Sequence, residues 1–180
     1  MKQMTAGQII AELKRINTDF RPWGLILIGC PASGKSTFVQ KVLAELPNTH
    51  IASTDDMIDK IAAAKGITYT EAFNKHANMK QLKKQMLAGI TENAAVGINV
   101  INDQTNMGKK ARGEKIALMP NHTVIAIGFD VPEAEIKRRL AEREAATGKH
   151  IPAHVITDML SNYETPSKAE GFAHIWQLQQ

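Results

Sequence analysis

The feature that most limits what this chain can fold into is an eight-residue stretch, Gly29-Cys30-Pro31-Ala32-Ser33-Gly34-Lys35-Ser36. It matches the pattern G-x-x-x-x-G-K-[ST] in full. A continuous apolar run, Trp23 to Ile28, precedes it, and an amphipathic segment, Phe38 to Leu46, follows it. Glycines let a backbone turn tightly and approach a ligand without a Cβ in the way. The pattern therefore predicts a buried strand, an anion-binding turn and a helix in succession.

The residue types in this turn predict a nucleoside triphosphate as the ligand. Lys35 is expected to reach the β and γ phosphates, and the Ser36 hydroxyl is expected to bind the accompanying magnesium ion. The alternative is a chance match, which average residue usage produces in about one random chain of this length in a hundred, or fewer. The residues expected to contact the nucleotide are Gly29, Pro31, Ala32, Ser33, Gly34, Lys35, Ser36 and Thr37.

Strand and helix patterns alternate along the chain and predict a parallel sheet of four or five strands flanked by helices. Short apolar runs predict strands at Trp23 to Ile28, Thr49 to Ser53, Gly97 to Asn102, His122 to Phe129 and Ala173 to Leu178. Helical spacing predicts helices at Thr5 to Asn17, Asp56 to Ala64, Lys109 to Leu118, Pro132 to Ala146 and Pro152 to Tyr163. The sequence Thr68-Tyr69-Thr70-Glu71 has the form of a capping box and predicts one longer helix that runs to about Ala95.

Length and composition indicate one globular domain over residues 1–180, of which 43% are hydrophobic and 22% charged. Within it we expect an N-terminal helical extension over 1–22 and a lid over about 139–152. The single cysteine, Cys30, excludes an intramolecular disulfide and is read as a packing residue. No apolar run is long enough to cross a bilayer, so we expect a cytoplasmic chain with no membrane partner. The sequence leaves the oligomeric state open.

Two polar clusters follow predicted strands. Ser53-Thr54-Asp55-Asp56 follows the second strand, and Asn102-Asp103-Gln104-Thr105-Asn106 follows the third. Ligands of open parallel sheets bind beyond the carboxyl ends of the strands. A carboxylate there would take the proton from an acceptor hydroxyl as it attacks the γ-phosphate. The alternatives are that Asp55 or Asp56 caps the following helix, and that the second cluster is an ordinary polar turn.

A third cluster is basic and lies on the helix predicted at Pro132 to Ala146. Arg139 and Arg143 are four residues apart and share a face of that helix. Arginines facing the site would neutralise charge on the phosphoryl group during its transfer. The alternative is a solvated surface on which the arginines pair with Glu135, Glu142 and Glu144.

The order of these clusters resembles the P-loop kinases typified by bacteriophage polynucleotide kinase and by the kinase domains of bacterial RNA-repair enzymes. The matching stretches lie between Leu25 and Leu178 and read GCPASGKST, STDD, VINDQTN, FDVPEAEIKRRLAER and YETPSKAEGF. The resemblance implies a three-layer α/β P-loop NTPase fold with a small helical lid. It also implies a magnesium-dependent enzyme that moves the γ-phosphoryl of ATP to the 5′-hydroxyl end of DNA or RNA.

The resemblance further implies roles for single residues beyond the phosphate-binding turn. Asp55 would be the general base toward the acceptor hydroxyl, and Asp103 would be an acceptor-side residue. Arg139 and Arg143 would be lid arginines over the phosphates. Of these two, Arg143 is the better candidate for stabilising the transition state.

One position departs from the family pattern. The family carries an arginine three residues after the catalytic aspartate, where it meets the phosphate of the acceptor strand, and this chain has Ile58 there. An apolar side chain cannot bind a phosphate. Two alternatives therefore stay open, a kinase of a small hydroxylated molecule or of a modified base in DNA, and a non-kinase regulatory ATPase. Six lysines would supply either a diffuse basic surface for a polynucleotide or merely a solvated helix face: Lys60, Lys65, Lys75, Lys80, Lys83 and Lys84.

Overall fold

The computed structural model describes residues 1–18 and 21–179, and in these residues six parallel strands form one sheet in the order β1-β6-β5-β2-β4-β3. The strands are β1 (Lys2–Met4), β2 (Trp23–Ile28), β3 (Thr49–Ala52), β4 (Asn99–Asn102), β5 (Thr123–Gly128) and β6 (His174–Leu178). The predicted α/β class and parallel sheet are confirmed. The predicted count of four or five strands is wrong, because β1 is an additional strand.

Strand β1 lies at one edge of the sheet, where Lys2 to Met4 pair with Trp176 to Leu178. Two of its three residues are exposed, and Met4 packs into the core. Three residues are too few to show an alternating pattern, and pairing at a sheet edge depends on residues at the far end of the chain. The segment predicted as a helical extension therefore contributes a strand as well as a helix.

Helices cover both faces of the sheet. They are α1 (Ala6–Thr18), α2 (Lys35–Glu45), α3 (Thr54–Lys65), α4 (Tyr69–Lys75), α5 (Met79–Ala95), α6 (Lys109–Ile116), α7 (Glu133–Thr147) and α8 (Ala153–Ser161), with a 3₁₀ turn at Lys168–Glu170. Alternate residues of β2 enter two cores, since Leu25 and Leu27 pack with α1 and α2 whereas Ile26 and Ile28 pack with α5, α7 and α8. The result is three layers. None of the helices described is long and apolar enough to span a membrane.

The longer helix predicted from Thr68 to about Ala95 is wrong, because the structure has two helices there. Thr68 accepts a hydrogen bond from the Glu71 amide at 3.2 Å and begins α4, as predicted. Asn78 then accepts one from the Gln81 amide at 3.1 Å and begins α5. Asparagine is a preferred N-cap residue, so it starts a second helix inside a continuous helical pattern. The break lets α4 pack against α3 in a small separate core.

A buried charged network holds the loop that follows β4. Arg112 is fully buried and donates to both carboxylate oxygens of Glu170, at 2.7 and 3.0 Å. Its Nη1 also donates to the carbonyl oxygens of Asn106 and Met107, at 3.1 and 2.8 Å. Asn106 has a φ of 48° and donates to the Leu27 carbonyl at 2.7 Å, which ties the loop to β2. The polar cluster after β4 is therefore part of a fixed scaffold.

Replacing Arg112 with methionine is expected to lower the free energy of unfolding by about 3–5 kcal/mol, because the Glu170 carboxylate would stay buried without its cation. Urea denaturation of the two proteins measures this difference. As a control, Lys14→Met removes the exposed Lys14–Glu45 pair, and its expected cost is about 1 kcal/mol or less. Equal unfolding midpoints for Arg112→Met and the parent chain would contradict this assignment.

Candidate active site

The turn between β2 and α2 has the geometry of an anion-binding loop. A Cβ at Gly29 would lie 2.8 Å from Ser33 Oγ and 2.9 Å from Phe129 Cβ, so only glycine fits there. Ala32 and Gly34 have φ values of 62° and 94° and turn the chain into α2. No side chain caps α2, which leaves the amides of its first turn available to an anion. Helix α2 begins at Lys35, three residues before the predicted start.

Lys35 is held inside this loop. The residue is 8% exposed. Its ammonium donates to the Gly29 and Cys30 carbonyl oxygens at 2.8 and 2.7 Å. Burial lowers the pKa of Lys35 to about 8, while the nearby Asp103 and Asp55 carboxylates oppose that shift. The loop therefore holds a preorganised, poorly hydrated cation at the carboxyl end of β2.

Asp55 does not cap α3, because a neighbouring residue has that role. Ser53 Oγ accepts the Asp56 amide hydrogen bond at 3.1 Å, which is the N-cap contact. The Asp55 side chain is 59% exposed. One of its oxygens accepts from the Tyr69 hydroxyl at 3.1 Å, and the other lies 3.2 Å from Lys149 Nζ.

Asp103 lies on the same edge of the sheet. Its amide donates to the Ala52 carbonyl at 3.1 Å, which joins the loop after β4 to the end of β3. Burial raises the pKa of the Asp103 carboxyl to about 6; Lys35 acts in the opposite direction, and Asp56 and Asp55 add to the rise. Asp103 and Asp55 thus lie close enough to Lys35 to influence its charge and each other's.

The two predicted lid arginines differ from their neighbours on α7. Arg138 faces solvent and pairs with Glu135 and Glu142. Arg139 donates to Glu135 at 2.7 Å and to the Ala32 carbonyl of the loop at 3.4 Å. The Nε and Nη2 atoms of Arg143 are buried, and no described residue forms a hydrogen bond with them. Buried N–H donors without acceptors are costly, and phosphate oxygens would satisfy them.

Two residues that contact Asp55, Lys149 and Tyr69, were not predicted from the sequence. Lys149 lies within the predicted lid, and its Nζ lies 3.5 Å above the Tyr69 ring centroid. The neighbouring Gly148 carbonyl accepts from Thr70 Oγ1 at 2.7 Å. Tyr69 and Thr70 belong to the motif that indicated a helix start, and nothing in that motif marks them as contacts of a segment almost 80 residues later.

A cavity of about 310 Å³ lies beside the loop and is lined partly by Gly29, Cys30 and Ser33. Gln177, at the end of β6, also lines it and is 5% exposed. Its Nε2 is buried and finds no acceptor among the described residues. The cavity therefore presents one unused hydrogen-bond donor within largely apolar walls.

The donor chemistry fits a magnesium-bound nucleotide. Ser36 stands in the first turn of α2, directly after Lys35, and offers a hydroxyl oxygen. Within residues 1–18 and 21–179 there is no group of three or more metal-binding side chains. Magnesium commonly binds with one or two protein oxygens while phosphates and water complete its shell. A single serine at this position suits an ion that arrives with a triphosphate.

Comparisons with known proteins found relatives that are similar in sequence or in fold. The human heterogeneous nuclear ribonucleoprotein U-like protein 2 is 23% identical over 150 residues, which cover 81% of this chain and 20% of that protein. A chain in a structure of the Pnkp1/Rnl/Hen1 RNA repair complex is 24% identical with a TM-score of 0.65, over 79% of this chain and 44% of that one. A sugar kinase from Janibacter is 19% identical with a TM-score of 0.58, over 88% and 87%.

The chain spans about a fifth of the length of the curated relatives that it matches. The likeness to the two solved structures shows the fold, and it confirms the predicted three-layer P-loop architecture. The AAA_33 family model, described as an AAA domain, matches residues 25–166, from β2 to the segment after α8. The loop, the strand-end carboxylates and the arginine-bearing helix all fall inside that match, and the chain belongs to this AAA domain family.

Proposed function

We propose that this chain transfers the γ-phosphoryl group of ATP to a hydroxyl, and that the acceptor is the 5′-hydroxyl end of DNA or RNA. The observation that carries the proposal is that one buried cation lies close to two carboxylates and to a guanidinium whose Nε and Nη2 are buried without acceptors. Asp103, Asp55 and Arg143 all lie close enough to Lys35 to shift its pKa. Phosphoryl transfer is catalysed mainly by positioning and by charge stabilisation of this kind.

The nucleotide half of the site would consist of the loop amides, Lys35, Ser36 and Arg143. The Lys35 ammonium would exchange its carbonyl partners for phosphate oxygens, and the Arg143 guanidinium would gain the acceptors it lacks. Magnesium, when bound, neutralises charge on the phosphates. We place the nucleobase in the adjoining cavity, where Gln177 Nε2 would donate to an acceptor atom of the base.

The acceptor half would centre on Asp55. A carboxylate has about four lone-pair sites, so the contacts with Tyr69 and Lys149 leave room for an incoming hydroxyl. Asp55 would take the hydroxyl proton while the oxygen bonds to the γ-phosphorus and the bond to ADP breaks. Asp103 is more buried than Asp55, so its proposed role is to orient the reacting groups.

The lysine distribution supports a polynucleotide acceptor. In the part of the chain that the structure describes, Lys75 and Lys83 pair with Glu71 and Glu114. No ion pair is formed there by the other four lysines of the predicted basic surface, Lys60, Lys65, Lys80 and Lys84. Unpaired lysines on α3 and α5 leave positive charge available to a phosphate backbone. A relative in an RNA repair complex points the same way.

One observation favours a second candidate, a kinase of a small hydroxylated molecule. Ile58 is fully buried and packs with Ala62, Ala72 and Leu82 between α3, α4 and α5. Helix α3 therefore presents no cation at this position. The similar structure from Janibacter, a sugar kinase, matches over most of both chains. A neutral acceptor would need no such cation.

Incubation with γ-labelled ATP and a panel of acceptors distinguishes these functions. The panel contains 5′-hydroxyl DNA and RNA oligonucleotides, the same oligonucleotides with a 5′-phosphate as controls, nucleosides and sugars. Label on the 5′-hydroxyl oligonucleotides, with affinity that falls steeply as salt rises, is the expected result. Label on a sugar, independent of salt, would establish the second candidate. ATP hydrolysis without any labelled acceptor would contradict both and favour a regulatory ATPase.

Replacing Arg143 with glutamine is expected to lower kcat by about 10²–10³-fold, because a preorganised cation would no longer meet charge that develops in the transition state. The matched control is Arg138→Gln on the same helix, which removes only solvent-exposed pairs and is expected to leave kcat within about twofold. Steady-state kinetics on the labelled acceptor measure both. Equal kcat values for the two variants would remove Arg143 from the proposed site.

A further inference from the structure

The tip of the lid segment docks on α3 and α4 through a set of specific contacts. Lys149 Nζ lies 3.2 Å from Asp55 Oδ2 and 3.8 Å from Asp59 Oδ2, and it covers the face of the Tyr69 ring. Thr70 Oγ1 donates to the Gly148 carbonyl beside it. Gly148 has a φ of 68° and ends α7, so the chain turns sharply to bring Lys149 to these partners.

The burial of Lys149 is unusual for a lysine in an exposed ion pair. Its side chain is 13% exposed, whereas the lysines that pair with Glu45, Glu71, Glu114 and Glu133 are 49–66% exposed. A lysine loses hydration and side-chain entropy when it is covered, and a surface pair seldom compensates for both. The carboxylates and the aromatic face together provide that compensation here.

Lys149 and Tyr69 contact different oxygens of Asp55. The Tyr69 hydroxyl donates to Oδ1, and the Lys149 ammonium faces Oδ2. Burial and the Asp55 carboxylate raise the pKa of Tyr69, so its hydroxyl stays a donor. The carboxylate is thereby held from both sides, by α4 and by the lid, on a side chain that is otherwise exposed.

We propose that Lys149 is a positioning residue for the Asp55 carboxylate, so that the base is correctly oriented only when the lid tip is docked on α3 and α4. This inference rests on the proposed function, because it assigns Asp55 as the base. Closure of the lid over the nucleotide would then supply Arg143 to the phosphates and Lys149 to the base in one movement. While the lid is open, Asp55 would not be oriented to activate a water molecule, which would limit hydrolysis of ATP without an acceptor.

The test compares Lys149→Met with Lys149→Arg and with a matched control, Lys137→Met, which removes an exposed α7 pair outside the site. Carboxyl ¹³C NMR measures the chemical shift of the Asp55 carboxyl carbon in the free protein at pH 7. In Lys149→Met that chemical shift is expected to move, because the carboxylate loses the ammonium that faces its Oδ2. Lys137→Met is expected to match the parent chain.

Kinetics form the second arm. Lys149→Met is expected to lower kcat about ten- to a hundredfold through misplacement of the base and to leave KM for ATP within about twofold. Lys149→Arg is expected to restore most of kcat, since it keeps the cation. Circular dichroism confirms that each variant is folded.

An unchanged Asp55 carboxyl chemical shift in folded Lys149→Met would overturn the inference, and so would a parent-like kcat. The chemical-shift measurement needs no turnover, so it stands apart from the proposed function. If no acceptor is labelled by the parent chain, the proposed function fails, while the chemical shift still decides whether Lys149 acts on Asp55.

Discussion

The Lys35→Ala variant is expected to show no measurable phosphoryl transfer and an affinity for ATP about ten- to a hundredfold lower, because one charge-assisted contact with the phosphates would be lost. Lys35 is already buried and held by two carbonyl oxygens, so it needs little reorganisation to meet a ligand. Isothermal titration with ATP and magnesium measures the affinity, and the labelled-acceptor assay measures transfer.

The pH dependence of ATP binding adds a signature for Lys35. In the free protein burial lowers its pKa to about 8. A bound triphosphate favours the charged form of Lys35 and raises its pKa. Above the pKa of the free protein, binding of ATP therefore requires that Lys35 take up a proton. The affinity for ATP should therefore fall as the pH rises through about 8. The Lys35→Ala variant should not show this decrease in affinity.

Lys41→Ala, an exposed change on the same helix, is the control for Lys35→Ala and should behave like the parent chain. Normal turnover by Lys35→Ala would contradict the assignment of the loop. A loss of transfer in Lys41→Ala as well would indicate a general disturbance of α2.

Asp55→Asn is expected to lower kcat by about 10²–10⁴-fold while the affinity for ATP stays within about twofold, because the amide keeps the shape of the side chain and loses the basic oxygen. Tyr69 and the incoming hydroxyl would still find an acceptor in the amide carbonyl. Single-turnover transfer of label to the 5′-hydroxyl oligonucleotide, together with titration of ATP, separates chemistry from binding.

Two further variants sharpen the Asp55 prediction. Asp158→Asn, on the exposed surface of α8, should leave transfer unchanged. Asp103→Asn tests which carboxylate is the base. Burial raises the pKa of Asp103 to about 6, and a base with that pKa would itself set the acidic limb of the kcat–pH profile. If Asp55→Asn retains full activity and Asp103→Asn removes that limb, the two roles are exchanged.

Local patterns predicted most of the framework. The hydrophobic run before the loop, the helix after it and the alternation of later elements all correspond to structure between β2 and β6. Errors arose where the local signal was weak or divided. Strand β1 is short and polar. Asn78 begins a new helix within a continuous helical pattern, and a single asparagine is a weak signal for such a break.

For the charged clusters, too, some features were predicted from the sequence and others are visible only in the structure. The sequence placed Arg138, Arg139 and Arg143 on one helix but left open which of them meet solvent. In the structure Arg139 donates to the Ala32 carbonyl of the loop, and two nitrogens of Arg143 are buried. Arg138 instead pairs with Glu135 and Glu142 at the exposed surface of the helix. The sequence also left open whether Asp55 caps α3, and the structure gives that task to Ser53.

The sequence by itself determined that a strand, an anion-binding loop and a helix follow one another, because glycine conformations, helix starts and buried runs depend on neighbouring residues. Tertiary structure alone decided that Lys149 meets Asp55 across 94 positions of sequence, and that two nitrogens of Arg143 are buried without an acceptor among the described residues. Such contacts arise when the sheet brings distant strand ends to one edge and the segment after α7 packs against α3 and α4. No local pattern encodes a distance between two residues that the chain brings together only on folding.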